Sequence, residues 1–184
     1  MAERIPLRGK SLLRLKKRRK NVRTIMILSE MLAFSVIVAF MLPILLKGRI
    51  RDDLTVSMVQ QVLEEHTSPA EEELLKAPGT TADLRRVYRI FDLSSENCYL
   101  RLPASNMDVT EEIFLIADSP EAAETYREKL NARLESRKRD FESYGTEQMK
   151  ILNQAVVVQK GRYAFLIISP DAEAKKEALL KLMR

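Results

Sequence analysis

Hydrophobic and polar positions change rhythm several times along this chain, and each change marks an element. From Ile25 to Leu46, twenty-two residues carry a single charge, Glu30. As a helix that run measures about 33 Å, against a hydrocarbon core of roughly 30 Å. The pattern predicts a membrane-spanning helix over 25–46. Because the run exceeds a signal-peptide core and exits through Pro43, Leu45, Leu46 and Lys47, it is read as uncleaved. Glu30 lies about 7.5 Å of helical rise from Ile25, within reach of the headgroups. Ser35 and Ala39 form a small-xxx-small pair, a weak signal for helix pairing.

Beyond the span, Leu54, Met58, Val59, Val62 and Leu63 recur at helical spacing and predict one amphipathic helix. Ser68-Pro69-Ala70-Glu71 supplies a cap, a proline at the first helical position and a capping-box acid, so a second helix should run to about Lys76. Ala82 to Tyr88 predicts a brief third. At Asn97 the period becomes two: Cys98, Leu100 and Leu102 alternate with Asn97, Tyr99 and Arg101, as on a strand with one buried face. A fully apolar strand follows, Glu112 to Ala117, and Asp118-Ser119-Pro120-Glu121 starts a long helix reaching about Tyr144. Its buried stripe reads Ala123, Tyr126, Leu130, Leu134, Phe141 and Tyr144, with Arg137 to Asp140 solvated. After Gly145, a short helix from Glu147 to Leu152 leads to two strands, Ala155–Val158 and Tyr163–Ile168, joined at Gln159-Lys160-Gly161 as a hairpin. Ser169-Pro170-Asp171 opens a last helix with Ala174, Ala178, Leu179 and Leu182 facing inward.

These elements predict an α+β fold: one transmembrane helix followed by a two- or three-layer domain on a four-stranded antiparallel sheet. Phe114-Leu115-Ile116 before Ser119-Pro120 resembles Phe165-Leu166-Ile167 before Ser169-Pro170, so a strand-strand-helix unit reads twice. Two such units give the order 1-2-4-3. Central strands without alternation require cover on both faces. The long and C-terminal helices are expected on one, and the Leu54–Leu63 helix with its successor, or else a second protein, on the other.

Charge adds direction. The formal net charge is +5, yet residues 1–24 hold ten Lys/Arg against one acid, and residues 47–184 hold twenty-one against twenty-four. The positive-inside rule then places a basic tail, 1–24, in the cytoplasm and a domain, 47–184, outside the membrane. The tail reads as a topology signal drawn to anionic lipid headgroups, and it is too short for a nucleic-acid recognition fold.

Candidate chemistry is sparse. A single cysteine forbids an intramolecular disulfide, and a single histidine leaves no zinc set. Cys98 reads as a core residue, and His66 as the end of a helix meeting its dipole. No glycine-rich phosphate loop occurs. The sequence points to no catalytic residue, metal or cofactor. Carboxylates at Glu71 to Glu73, Glu111 and Glu112 keep an envelope enzyme using acid/base chemistry as the alternative, although runs of acids are normally solvated faces.

Several residues in order carry a family resemblance: Ala82-Asp83-Leu84 leading to Tyr88; Thr110-Glu111-Glu112-Ile113; Arg133-Leu134; Phe141, Tyr144, Glu147 and Gln148; and Lys160-Gly161-x-Tyr163. Over about 82–183 the chain resembles the uncharacterised bacterial family of domain of unknown function 4358. Arg89 and Thr146 stand where that pattern has glycine and proline, and the lipoprotein cysteine that members often carry is missing. The resemblance implies an envelope-facing domain of a Gram-positive-type bacterium, with no known activity. The reading is therefore a membrane-anchored extracytoplasmic binding or scaffolding module, its partner an envelope protein or wall component. The resemblance puts its binding residues at Glu112, Arg133, Tyr144, Gln148 and Tyr163.

Overall fold

The structure, a computed structural model, describes residues 30–39, 41, 50–76, 78–143 and 145–184. It divides into two units, Met1–Gly48 and Arg49–Arg184. In the first, residues 30–39 are helical, and Met31, Leu32, Phe34 and Ile37 expose apolar side chains on every side of the helix. Among the described residues no helix is long and apolar enough to cross a membrane. The tail 1–24 and residues 25–29, 40 and 42–46 of the predicted span lie outside the described residues.

The second unit is built from α1 (Val56–Glu65), α2 (Pro69–Glu72), α3 (Thr81–Tyr88), β1 (Cys98–Arg101), β2 (Glu111–Ile116), α4 (Pro120–Phe141), α5 (Thr146–Gln154), β3 (Val156–Lys160), β4 (Tyr163–Ile168) and α6 (Ala172–Leu182). The four strands form one antiparallel sheet in the predicted order, β1-β2-β4-β3. In the central pair Phe114 faces Phe165 and Ile113 faces Leu166. Strand side chains alternate between faces, so the sheet carries two cores. On the first face Ile113, Leu115, Ala164 and Leu166 pack beneath α3, α4 and α5. On the second Tyr99, Phe114, Phe165 and Ile167 pack beneath α1 and α6. The result is three layers, helix, sheet and helix.

The local signals explain most of the ends. Ser119 accepts a hydrogen bond from Ala122 N, with Pro120 at the first helical position of α4. Thr80 and Asp83 form a reciprocal capping box on α3. Thr146 takes the first position of α5, where proline is favoured. Gly161 turns the hairpin at φ +57°, a left-handed conformation that suits glycine.

Several expectations are corrected. The C-terminal helix does not join the long helix; it lies on the other face beside α1. The two strand-helix links differ by one residue, since five positions separate Phe114 from Ser119 but four separate Phe165 from Ser169. A strand alternates with period two, so a one-residue difference sends the following helix to the opposite face. The repeated unit is thus shared by the strands and broken at the helices. Helix α6 also begins at Ala172, after Pro170, and Ser169 accepts from Asp171 N rather than capping a helix that starts at the proline. Its inward position is Lys175; Ala174 is exposed. The hairpin turn is Gly161-Arg162, and α2 is a single turn. Strand β1 is buried on both faces, because α1 and α6 cover the side of Tyr99. Arg137, expected in solvent, is buried at 8% exposure.

Candidate functional site

Charged groups that the sequence pattern assigns to solvent are held inside this domain, and they organise what remains open. Glu111 and Glu112 are neighbours on β2, each 0% exposed, and the strand turns them to opposite faces. On the first face Arg133 of α4 clamps Glu111 with two bonds, Nε to Oε1 at 3.1 Å and Nη2 to Oε2 at 2.7 Å, while the Tyr88 hydroxyl donates to Oε1. On the second face Lys175 Nζ donates to Glu112 Oε1 at 2.7 Å and the Tyr99 hydroxyl to Oε2 at 3.0 Å. Each glutamate meets one cation and one tyrosine.

Lys175 also donates to Glu71 Oε1 at 2.6 Å, so one buried ammonium serves two buried carboxylates. Glu72, next to Glu71, takes the Arg101 guanidinium at 2.8 and 2.9 Å, and Arg101 Nε donates to Lys76 O. The single turn α2 is thereby fastened to β1 and to α6. The expectation that Glu71, Glu111 and Glu112 are solvated is corrected: they sit inside because cations from distant elements come to them.

Burial pushes the Tyr88 and Tyr99 hydroxyls well above their usual pKa, helped by the charges of Glu111 and Glu112 respectively. Burial works against the charge of Arg133, but the hydrogen bonds and charge of Glu111 outweigh it and raise its pKa. Burial alone lifts the Cys98 thiol to about 12. His66 is exposed, and its Nδ1 donates to the Val62 carbonyl at 2.8 Å, a helix-end contact. Among the described residues no three His, Cys, Asp or Glu side chains group to hold a metal ion.

The open site lies above Arg133. A cavity of about 210 Å³ is lined by Lys76, Arg86, Arg133 and Arg137 together with Ser105 and Asn106, and among the described residues no carboxylate lines it. Its cations come from three places in the fold: the segment after α2, helix α3, and helix α4. Three of the four have a carboxylate partner, Glu111 for Arg133, Asp83 for Arg86 and, at 4.0 Å, Asp140 for Arg137. Glu111 anchors Arg133 through Nε and Nη2 and leaves Nη1 unused. Asp83 holds Arg86 at 2.9 Å, and that bond, with two more from Thr80, takes the Asp83 carboxyl down to about 2. Arg137 donates to the Asp108 carbonyl and lies 4.8 Å from the centre of the Phe141 ring. Such a cavity has the chemistry to hold an anion, since several fixed guanidinium groups converge on it.

The predicted site residues that the structure describes lie on different elements. Glu112 and Tyr163 belong to the second face, where Tyr163 donates to the Arg51 carbonyl at 2.7 Å. Arg133 and Gln148 belong to α4 and α5 on the first, and Tyr144 lies outside the described residues. Of the described ones only Arg133 lines the basic cavity. Lys76, Arg86 and Arg137 were not among the candidates, although the spacing Lys129, Arg133, Arg137 puts a cation on one helical face every fourth residue.

The family described as Domain of unknown function (DUF4358) matches residues 69–169. The match covers the whole sheet, the first helical layer and the basic cavity, and ends before α6. No curated protein and no solved structure matches the chain.

Proposed function

The chain belongs to the DUF4358 family of domains of unknown function, and we propose that it is a membrane-anchored module of the cell envelope whose outer domain binds an anionic group in the cavity above Arg133. One observation carries the binding reading: among the described residues, four cations and no carboxylate line an open cavity of about 210 Å³. The paired carboxylates speak against the alternative of acid/base catalysis, because Glu111 and Glu112 face opposite layers and each is fully buried in an ion pair. They cannot share a substrate.

The membrane anchor rests on the apolar run 25–46, on the exposed apolar side chains of its described helical part, and on the ten Lys/Arg of the preceding tail. Neither sheet face is left for a partner to complete, since α1 and α6 cover one and α3, α4 and α5 the other. The domain is therefore read as self-contained, which makes a scaffold built on an open sheet the weaker choice.

Calorimetric titration of the full chain in detergent with inorganic phosphate tests the binding reading. Saturable binding weakened by Lys76→Ala is expected; no binding at low ionic strength rejects it. Protease added to intact wall-stripped cells tests the topology: a C-terminal epitope should be lost while an N-terminal one survives.

A further inference from the structure

A second cavity, of about 240 Å³, opens on the other side of Arg133. It shares Val87 and Arg133 with the first and adds Arg89 and Lys129, again with no carboxylate among the described residues that line it. Along α4 the cations Lys129, Arg133 and Arg137 recur every fourth residue, a ridge of about 12 Å at 1.5 Å per residue. Helix α3 faces that ridge with Arg86 and Arg89. Arg133 stands in the middle, fixed from below by Glu111.

Arg89 has a feature that packing does not explain. It closes α3 at φ 58° and ψ 34°, and among the described residues it is the only non-glycine at positive φ. Glycine is the default there, because a side chain in the left-handed region crowds its own backbone. The side chain is exposed, so it gains no core contact in exchange. Its backbone carbonyl accepts from Lys129 Nζ at 2.9 Å, a bond that glycine would keep. What arginine adds at this position is a cation on the second cavity.

We propose that the two cavities are halves of one site, bridged by Arg133, for a linear anion with at least two phosphate-type groups. This rests on the reading of the first cavity as an anion site. Phosphate is favoured over carboxylate because cations reach the first cavity from three elements. A tetrahedral oxyanion offers oxygens in several directions, whereas a carboxylate accepts within one plane.

The test compares orthophosphate with tripolyphosphate, titrated into the full chain in neutral detergent at constant ionic strength. Tripolyphosphate should bind at least about tenfold more tightly. Arg89→Gly, which relieves the backbone and preserves the fold, should remove most of that preference and change orthophosphate affinity less than twofold. Lys150→Ala, an equal loss of charge at an exposed position lining neither cavity, should leave the preference intact. Absence of orthophosphate binding rejects the anion site itself. Equal affinity for both ions, or a preference that survives Arg89→Gly or falls equally with Lys150→Ala, overturns the bipartite site alone. Repeating the titration in nanodiscs distinguishes two sources of the phosphates. Loss of tripolyphosphate binding when phosphatidylglycerol replaces neutral lipid assigns them to headgroups, and unchanged binding assigns them to a soluble or polymer-borne chain.

Discussion

Glu111 and Glu112 are bonded to each other through one peptide and yet serve opposite halves of the domain, the first held by Arg133 and Tyr88, the second by Lys175 and Tyr99. A carboxylate cannot stay ionised inside a protein without such partners, because desolvation costs several kcal/mol per ion. The two glutamates therefore act as fixed points to which α4 and α6 must bring a cation. Glu111 has a further consequence for the surface: by anchoring Arg133 from beneath, it sets the position of the guanidinium that both basic cavities share.

Lys175 is the most sensitive of these arrangements to a single change, since one ammonium is shared by Glu71 and Glu112. Lys175→Met should lower unfolding free energy by about 3–5 kcal/mol, because two buried carboxylates lose their cation. Adding Glu71→Gln and Glu112→Gln should restore a large part of the loss. Urea denaturation of the full chain and its variants measures both. A single variant within about 1 kcal/mol of the parent would mean that the cluster is not what fastens α6.

Stability should fall on the alkaline side. The Cys98 thiol rises from 9.0 to about 12 on burial, so folding favours its protonated form. Its contribution is intact below about pH 9, where the unfolded thiol is still protonated, and is lost as pH climbs toward 12. Tyr88 and Tyr99, whose pKa values are also raised by burial, extend the loss above pH 10. Thermal melts between pH 8 and 11 should show a declining limb, and Cys98→Ala should flatten its first part. A melting temperature that is level to pH 11 contradicts the assignment.

Native Cys98 should react slowly with a maleimide at pH 7, because the thiolate is the reactive form and is scarce at a pKa of about 12. Denaturation in urea should bring rapid labelling of one site. Labelling at the speed of a free thiol without denaturant would point to an accessible cysteine.

Residues 97–184 without 52–96 should not form a stable monomer. Removing α1 uncovers Tyr99, Phe114 and Phe165, removing α2 takes Glu71 from Lys175, and removing α3 takes Leu84 and Tyr88 from the first core. Size-exclusion chromatography with light scattering should find oligomers or aggregate. A monomer as stable as the longer domain would show that the N-terminal helices are dispensable.

How far the chain could be read depended on the range of the interaction. Element type and order, and the strand order β1-β2-β4-β3, follow from period, caps and apolar runs, all of which act within a few residues. Even Arg89 announces itself, as an arginine where the family pattern has glycine. The described residues of the predicted site part at the same boundary. Glu112 and Tyr163 are strand residues of the second face, whereas Arg133 and Gln148 lie on helices α4 and α5 that pack on the first.

The sequence alone determined that two apolar strands would lie at the centre of a sheet needing cover on both faces, because no other arrangement hides side chains that are apolar without alternation. The tertiary structure decided which helix covers which face, and so which acid meets which base. Lys175 finds Glu71 across 104 residues, and Tyr163 finds the Arg51 carbonyl across 112. Such pairings leave no periodic trace, since a charged side chain looks alike in sequence whether water or a distant partner satisfies it. Only packing, which excludes the water, makes the partner necessary.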